Sequence, residues 1–227
     1  MTGLSPTLPF EMLYESNQAL IINKPAGLPV HPGPRGGPSV EDWFPLMSRR
    51  KDGPWLAHRL DADTAGCLAI ALRKQTLLAM QSCFSEGRTR KIYWAIVQGV
   101  SPETAEIDEP LKKISTKSGG WRMCGAPDGQ SARTTLRRLG TDGVCSWVEL
   151  TLHTGRTHQA RIHCALLGTP ILDDPIYAEE KRSGSGPLQL LSRELTLQLP
   201  TPIRAVAPPP LHMEAALRRC GYHPPAG

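Results

Sequence analysis

Residues 66–97 read GCLAIALRKQTLLAMQSCFSEGRTRKIYWAIV. The stretch changes its period twice. Gly66–Leu72 is a continuous apolar run of strand length, the pattern of a strand covered on both faces. Lys74–Ser85 sets Leu77, Leu78, Met80, Gln81 and Phe84 at helical spacing, and Gly87 ends the helix. Arg88-Thr89-Arg90-Lys91 is a basic cluster, and Ile92–Val97 is a second strand, stopped at Gly99.

Outward from this stretch the chain is rich in short strands. Leu13–Glu15 and Ala19–Asn23 read as strands around a turn at Asn17, and Lys24-Pro25-Ala26-Gly27 breaks the second. Residues 31–38 form a Gly- and Pro-rich loop, and Ser39 caps a short helix through Met47, with Glu41 and Asp42 in its first turn. Residues 49–64 are polar and charged. Residues 101–131 read as an excursion, a mobile basic hairpin. Thr134–Leu136 and Ser146–Leu152 are paired strands about Thr141-Asp142-Gly143, and Thr157 caps a helix over His158–Leu167 that Gly168 ends. A second flexible loop over 179–187 precedes a strand from Leu188 to Leu199. The boundaries expected are a lead-in over 1–10, one catalytic domain over 11–203 and a proline-rich tail over 204–227 with a short helix at Leu211–Cys220. There is no internal repeat. Many strands with few helices predict an α+β fold with a mixed, mostly antiparallel sheet, flanked by helices and loops around a central cleft.

At 227 residues the chain matches one domain of about 150 residues with at most a small appendage. Aromatics are only 5%, so the core leans on aliphatic side chains. No apolar run of about 18 residues exists, which argues against a membrane span, and residues 1–10 lack the pattern of a secretory leader. A net charge of +5 permits a polyanionic partner without requiring one. Cys67, Cys83, Cys124, Cys145, Cys164 and Cys220 are scattered with no CxxC pair, so they read as free thiols of a reducing cytoplasm, and no metal site is expected.

Three groups of residues could carry chemistry. His58-Arg59-Leu60-Asp61-Ala62-Asp63-Thr64-Ala65-Gly66 puts a carboxylate at the mouth of a buried strand, where it can act as nucleophile or base; a solvated loop is the plain alternative. Lys91 and Tyr93 share one face of their strand, so Tyr93 can stack on a base and offer a hydroxyl, or be an ordinary strand tyrosine. His153-Thr154-Gly155-Arg156-Thr157-His158-Gln159-Ala160-Arg161-Ile162-His163 leads a glycine turn into a helix N-terminus, a place for phosphate, or simply a capped amphipathic helix. His158 and His163 are five apart and do not share a helix face as zinc ligands would. Neither a dinucleotide fingerprint, a phosphate loop nor a GxSxG elbow is present.

Taken together and in order, these groups resemble the RluA-like family of RNA pseudouridine synthases. Asn23-Lys24-Pro25-Ala26-Gly27 with His31 is similar to the family's N-K-P-x-G segment, and His58-Arg59-Leu60-Asp61 with Thr64 and Gly66 to its H-R-L-D-x-x-T-S-G signature. Lys91-x-Tyr93-x-Ala95, Thr154-Gly155-Arg156-Thr157-His158-Gln159-x-Arg161-x-His163 and Gly168-Thr169-Pro170-Ile171-Leu172-x-Asp174-x-x-Tyr177 resemble three further motifs. Departures are Ala65 for Ser, Ala160 for a larger aliphatic residue, Asp173 for Gly, and Leu191-Ser192-Arg193 where many members have Leu-His-Ala. With no added basic domain before residue 19, the chain reads as a catalytic core.

The resemblance implies isomerisation of a flipped uridine in ribosomal or transfer RNA, without cofactor or metal. It implies Asp61 as the essential aspartate, nucleophile or base; Arg161 as the partner that keeps Asp61 ionised; and Tyr93 as the ring on the base. Arg59 would fill the gap in the RNA stack, while Arg88, Arg90, Lys91, Arg156 and His158 would contact RNA. His58 is read as structural. The implied setting is a cytoplasmic monomer on a stem-loop, with selectivity in residues 31–38, 101–131 and 179–187. Two competing readings are a non-catalytic RNA-binding module and a hydrolase using Asp61 and Asp63 as paired carboxylates.

Overall fold

In a computed structural model, which describes residues 8–33, 36–116, 120–178 and 186–224, the chain forms two compact units. The first comprises residues 1–89 with 192–208, the second 90–191 with 209–227.

In the first unit, Met12–Glu15 (β1) and Ala19–Lys24 (β2) form an antiparallel hairpin. Its turn is held by Ser16, whose hydroxyl accepts from the Ala19 N–H at 3.1 Å, beside the Asn17 expected from sequence. Trp55–Leu56 (β3) and β2 both pair with Ala65–Ala71 (β4), and every residue of β4 is buried. That burial follows from position, since β4 lies between β2 and Leu190–Leu197 (β11), which in turn pairs with Ile203–Val206 (β12). The short helix expected through Met47 is a 3-10 turn over Val40–Trp43 followed by Phe44–Met47 (α1). The Ser39 N–H donates to the Asp42 carboxylate at 2.8 Å.

Lys74–Ser85 (α2) has the bounds its spacing predicts, but a different inner face. Thr76, Met80 and Cys83 are buried, at i, i+4 and i+7, whereas Leu78 is 58% exposed. Leu78 stands two residues beyond Thr76, about 200° round the helix. The face was therefore set by a smaller, less apolar row than hydrophobicity alone selects.

In the second unit, Thr104–Asp108 (β6), Arg133–Thr141 (β9) and Cys145–Leu152 (β10) lie in antiparallel order, and β10 also pairs with Thr89–Gln98 (β5). Leu111–Ser115 (β7) and Trp121–Gly125 (β8) make a separate two-stranded sheet. The excursion expected over 101–131 is thus only in part a hairpin, because β6 is an ordinary strand of the larger sheet. Ala95, Val97, Leu136, Val148, Leu150 and Ile171 form a core with Ala160 and Cys164 of Gln159–Leu166 (α3).

On the second unit, Leu211–Arg219 (α4) buries Met213, Ala216 and Leu217. Gly140 accommodates its end, since a Cβ there would stand 1.8 Å from the Cys220 carbonyl oxygen. The register of β9 against β10 slips at the same place, between Trp147 and Val148. Residues 204–227, read from sequence as a tail, therefore supply β12 to one unit and α4 to the other. Residues 34–35 and 179–185 of the two expected loops lie outside the described residues.

Candidate active site

Asp61 sits in the turn that enters β4. The turn is closed by the Thr64 N–H, which donates to the Asp61 carbonyl at 3.1 Å. Leu60 and Thr64 on either side are buried, while Asp61 is half-buried and Arg59 exposed. His58 has the structural place expected of it: its Nε2 accepts the Ala69 N–H at 2.9 Å and its ring stacks on Phe84 with centroids 4.7 Å apart.

Beneath this turn lies a residue to which the sequence reading gave no role. Lys24 is fully buried at the end of β2, in register with Gly66 at the start of β4. Its Nζ donates to the carbonyls of Pro25, Leu28 and Ala62, each at 2.8 Å. The Gly27 N–H also donates to Ala62, at 2.9 Å. Two loops far apart in sequence are thus tied together next to the Asp61 carboxylate. The signals in the sequence were its place in the Asn23-Lys24-Pro25-Ala26-Gly27 segment and a lysine closing a strand that is apolar from Ala19 to Ile22.

Burial pushes the Lys24 pKa down to about 7 from 10.5, against the opposing pull of Asp63 and then Asp61. A folded value below the unfolded one means that the unfolded chain binds the extra proton between about 7 and 10.5. Stability conferred through Lys24 therefore rises with pH across that window and is flat below it. Replacing Lys24 by Met takes a donor from three carbonyls, of which Ala62 keeps the Gly27 N–H, so Lys24→Met should lose about 2 kcal/mol or more. It should also lose this rise. Urea unfolding of both proteins from pH 6 to about 10 checks it, and parallel pH curves would refute it.

In the second unit, Tyr93 is half-buried on β5 opposite Leu150 and packs on the core cluster. Lys91, two residues before it, is turned to the glycine turn: its Nζ donates to the Thr154 carbonyl at 2.8 Å. Burial and then the Arg156 charge push its pKa down to about 8. Two of the three sequence groups are joined by this bond.

The start of α3 differs from expectation. His158, at φ 57, is the N-cap, not Thr157. The reason is Gln159, whose Oε1 accepts from the Arg156 N–H at 3.0 Å and the Thr154 hydroxyl at 2.7 Å. Its Nε2 donates to the Arg133 carbonyl at 3.0 Å and the Thr134 hydroxyl at 2.9 Å. The turn is folded onto the start of β9, and the Arg156 N–H is satisfied within it by Gln159. Arg156 Nε donates to the Ser131 carbonyl at 3.0 Å.

Arg161 is 2% exposed and its fork is engaged by Asp174, fully buried, with Nε–Oδ2 at 2.8 Å and Nη2–Oδ1 at 2.7 Å. The partner assigned to it from sequence was Asp61; inside its own unit it is Asp174. Burial works to raise the Asp174 pKa, but the Arg161 hydrogen bonds and charge outweigh it, aided by the Ile176 and Tyr177 N–H groups, and hold it below the usual carboxylate range. Arg88, expected on RNA, closes the end of α2 instead. It bonds the Glu86 carboxylate at 2.7 Å, the Ser82 hydroxyl at 2.9 Å and the Gln198 carbonyl at 2.8 Å. Arg90 is exposed on β5.

An aspartate in a clamped turn before a buried strand, with a strand tyrosine and a buried arginine elsewhere in the chain, can be compared with known proteins. A family model described as RNA pseudouridylate synthase matches residues 18–166. The chain belongs to that family. An uncharacterized RNA pseudouridine synthase of Zymomonas mobilis is 39% identical over 211 residues, covering 90% of this chain and 96% of the relative. The ribosomal large subunit pseudouridine synthase C of Buchnera aphidicola is 34% identical over 169 residues, 74% of this chain and 54% of that protein. The structure of human RNA pseudouridylate synthase domain containing 4 superposes with a TM-score of 0.79 at 26% identity, covering 95% and 94% of the two chains. The α+β fold and the enzyme class expected from the motifs are those of the family. This pseudouridine synthase is an isomerase acting on RNA. No helix among its described residues is long and apolar enough to cross a membrane.

Proposed function

We propose that the enzyme isomerises uridine in ribosomal RNA and that Asp61, Tyr93 and Arg161 act on the same nucleotide. Support for ribosomal RNA over transfer RNA is the large subunit relative. Support for Asp61 is the turn itself, whose backbone Lys24 and Gly27 hold at the Ala62 carbonyl, at the entrance of a buried strand. In the reaction the N1–C1′ bond breaks, the uracil rotates, and a C5–C1′ bond forms. The C5 proton is lost and N1 gains one, so nothing is oxidised or reduced. Asp61 serves the sugar as nucleophile or base, and Tyr93 stacks on the extruded base and stands near the C5 proton. Arg161, its Nε–Nη2 edge held by Asp174, supplies positive charge to the site.

Arg59, Arg90, Lys91, Arg156 and His158 are assigned to RNA recognition, and residues 31–38, 101–131 and 179–187 to choice of target. The catalytic domain is taken as 11–203. We place the enzyme as a monomer on a stem-loop in the cytoplasm, a compartment that suits its free thiols. The test is incubation with ribosomal RNA followed by nucleoside analysis. Pseudouridine at defined positions, absent from cells lacking the gene, is the expected result. Unchanged uridine would favour a binding module, and released uracil a hydrolase.

A further inference from the structure

Trp121 opens β8 and is 46% exposed, although a ring of this size gains most from burial. It does not stand loose. His158 stacks on it with centroids 5.5 Å apart and planes at 26°. The His158 Nδ1 is 2.8 Å from the Tyr177 hydroxyl, and that hydroxyl accepts the Met123 N–H of the same hairpin at 3.2 Å. The Tyr177 ring meets the Arg161 guanidinium at 5.2 Å. A rigid file thus runs from the Arg161–Asp174 pair through Tyr177 and His158 to an exposed indole. The backbone at His158 is left-handed, at φ 57.

The surroundings of the indole are cationic. Lys113 Nζ lies 4.5 Å from the ring centroid, and Lys113 and Arg122 are exposed. The described residues of β7 and β8 carry Lys112, Lys113 and Arg122 and no carboxylate; Lys112 is paired with Asp128 from outside the hairpin. An aromatic face framed by cations on a backed-up side chain is what single-stranded nucleic acid binds, one base per ring with its phosphate on the neighbouring charge.

We propose that Trp121 is a stacking platform for a nucleobase of the RNA substrate other than the reacting uridine, with Lys113 and Arg122 on the flanking phosphates. His158 on this reading serves RNA recognition as a positioning residue that props the platform. The base takes the indole face from Lys113, whose flexible stem lets its ammonium follow the phosphate. The proposal rests on RNA being the substrate.

The test uses the full chain and a short labelled oligouridine. Trp121→Ala should raise Kd about 5- to 150-fold, the range for losing one base stack, and Trp121→Phe should restore most of the affinity. Lys113→Gln should reduce the slope of log affinity against log salt by about one. Indole fluorescence should be quenched by RNA in the wild type and much less in Trp121→Phe, a readout that stands even if the alanine variant folds poorly. Equal Kd for wild type and Trp121→Ala, or quenching unchanged in Trp121→Phe, overturns the platform alone. A wild type that binds no RNA overturns the RNA reading and the platform with it.

Discussion

Asp61→Asn should form no pseudouridine in ribosomal RNA that the wild type modifies, a loss of at least about 10³-fold in turnover, while keeping its RNA affinity. The substitution retains shape and removes charge and nucleophile. The turn around it should survive, because the substitution leaves its backbone bonds in place: the Thr64 N–H bonds the Asp61 carbonyl, and Lys24 and Gly27 bond the Ala62 carbonyl. The defect is therefore chemical and not conformational. Release of tritium from RNA labelled at uridine C5 measures the turnover, and filter binding of the same RNA measures affinity. Turnover within about tenfold of wild type would remove Asp61 from the reaction. Loss of binding in parallel with turnover would point to a folding defect.

The second large effect is expected at the Arg161–Asp174 pair. Asp174→Ala leaves a guanidinium buried at 2% exposure without the carboxylate that engages its fork, and should destabilise the protein by about 3–5 kcal/mol. Arg161→Lys should also be poorly tolerated, since a point charge cannot span both Asp174 oxygens as the fork does. Urea unfolding checks both. The informative protein is the double replacement Arg161→Met with Asp174→Leu, which removes both buried charges together and should recover much of the lost stability. If Arg161 supplies charge to the reaction, this protein is folded and inactive. A double variant that is folded and fully active would reduce Arg161 to a structural brace, and the catalytic cation would have to be sought at Arg156.

How much was legible in sequence depended on how local the deciding contacts were. The bounds of α2 follow from residues within one helix, and the buried run of β4 from its own composition. The cap of α3 was misplaced by one residue, because the contacts that set it come from Gln159 reaching back to Thr154 and across to Arg133 and Thr134. The inner face of α2 was also misjudged, since the strands it covers choose the face and its own leucines do not. Arg88 looked like an RNA contact in a basic run, yet Glu86 and Gln198 take its hydrogen bonds.

By itself the sequence determined which residue types stand at each motif and in what order, and with them the family, the α+β class and Asp61 as the reacting carboxylate to test. Only the tertiary structure decided the partner of each charge. Lys24 meets Ala62 across 38 residues and Arg161 meets Asp174 across 13, both out of water. Charge energies depend on separation and on loss of solvent, and neither quantity is written along a chain until it folds.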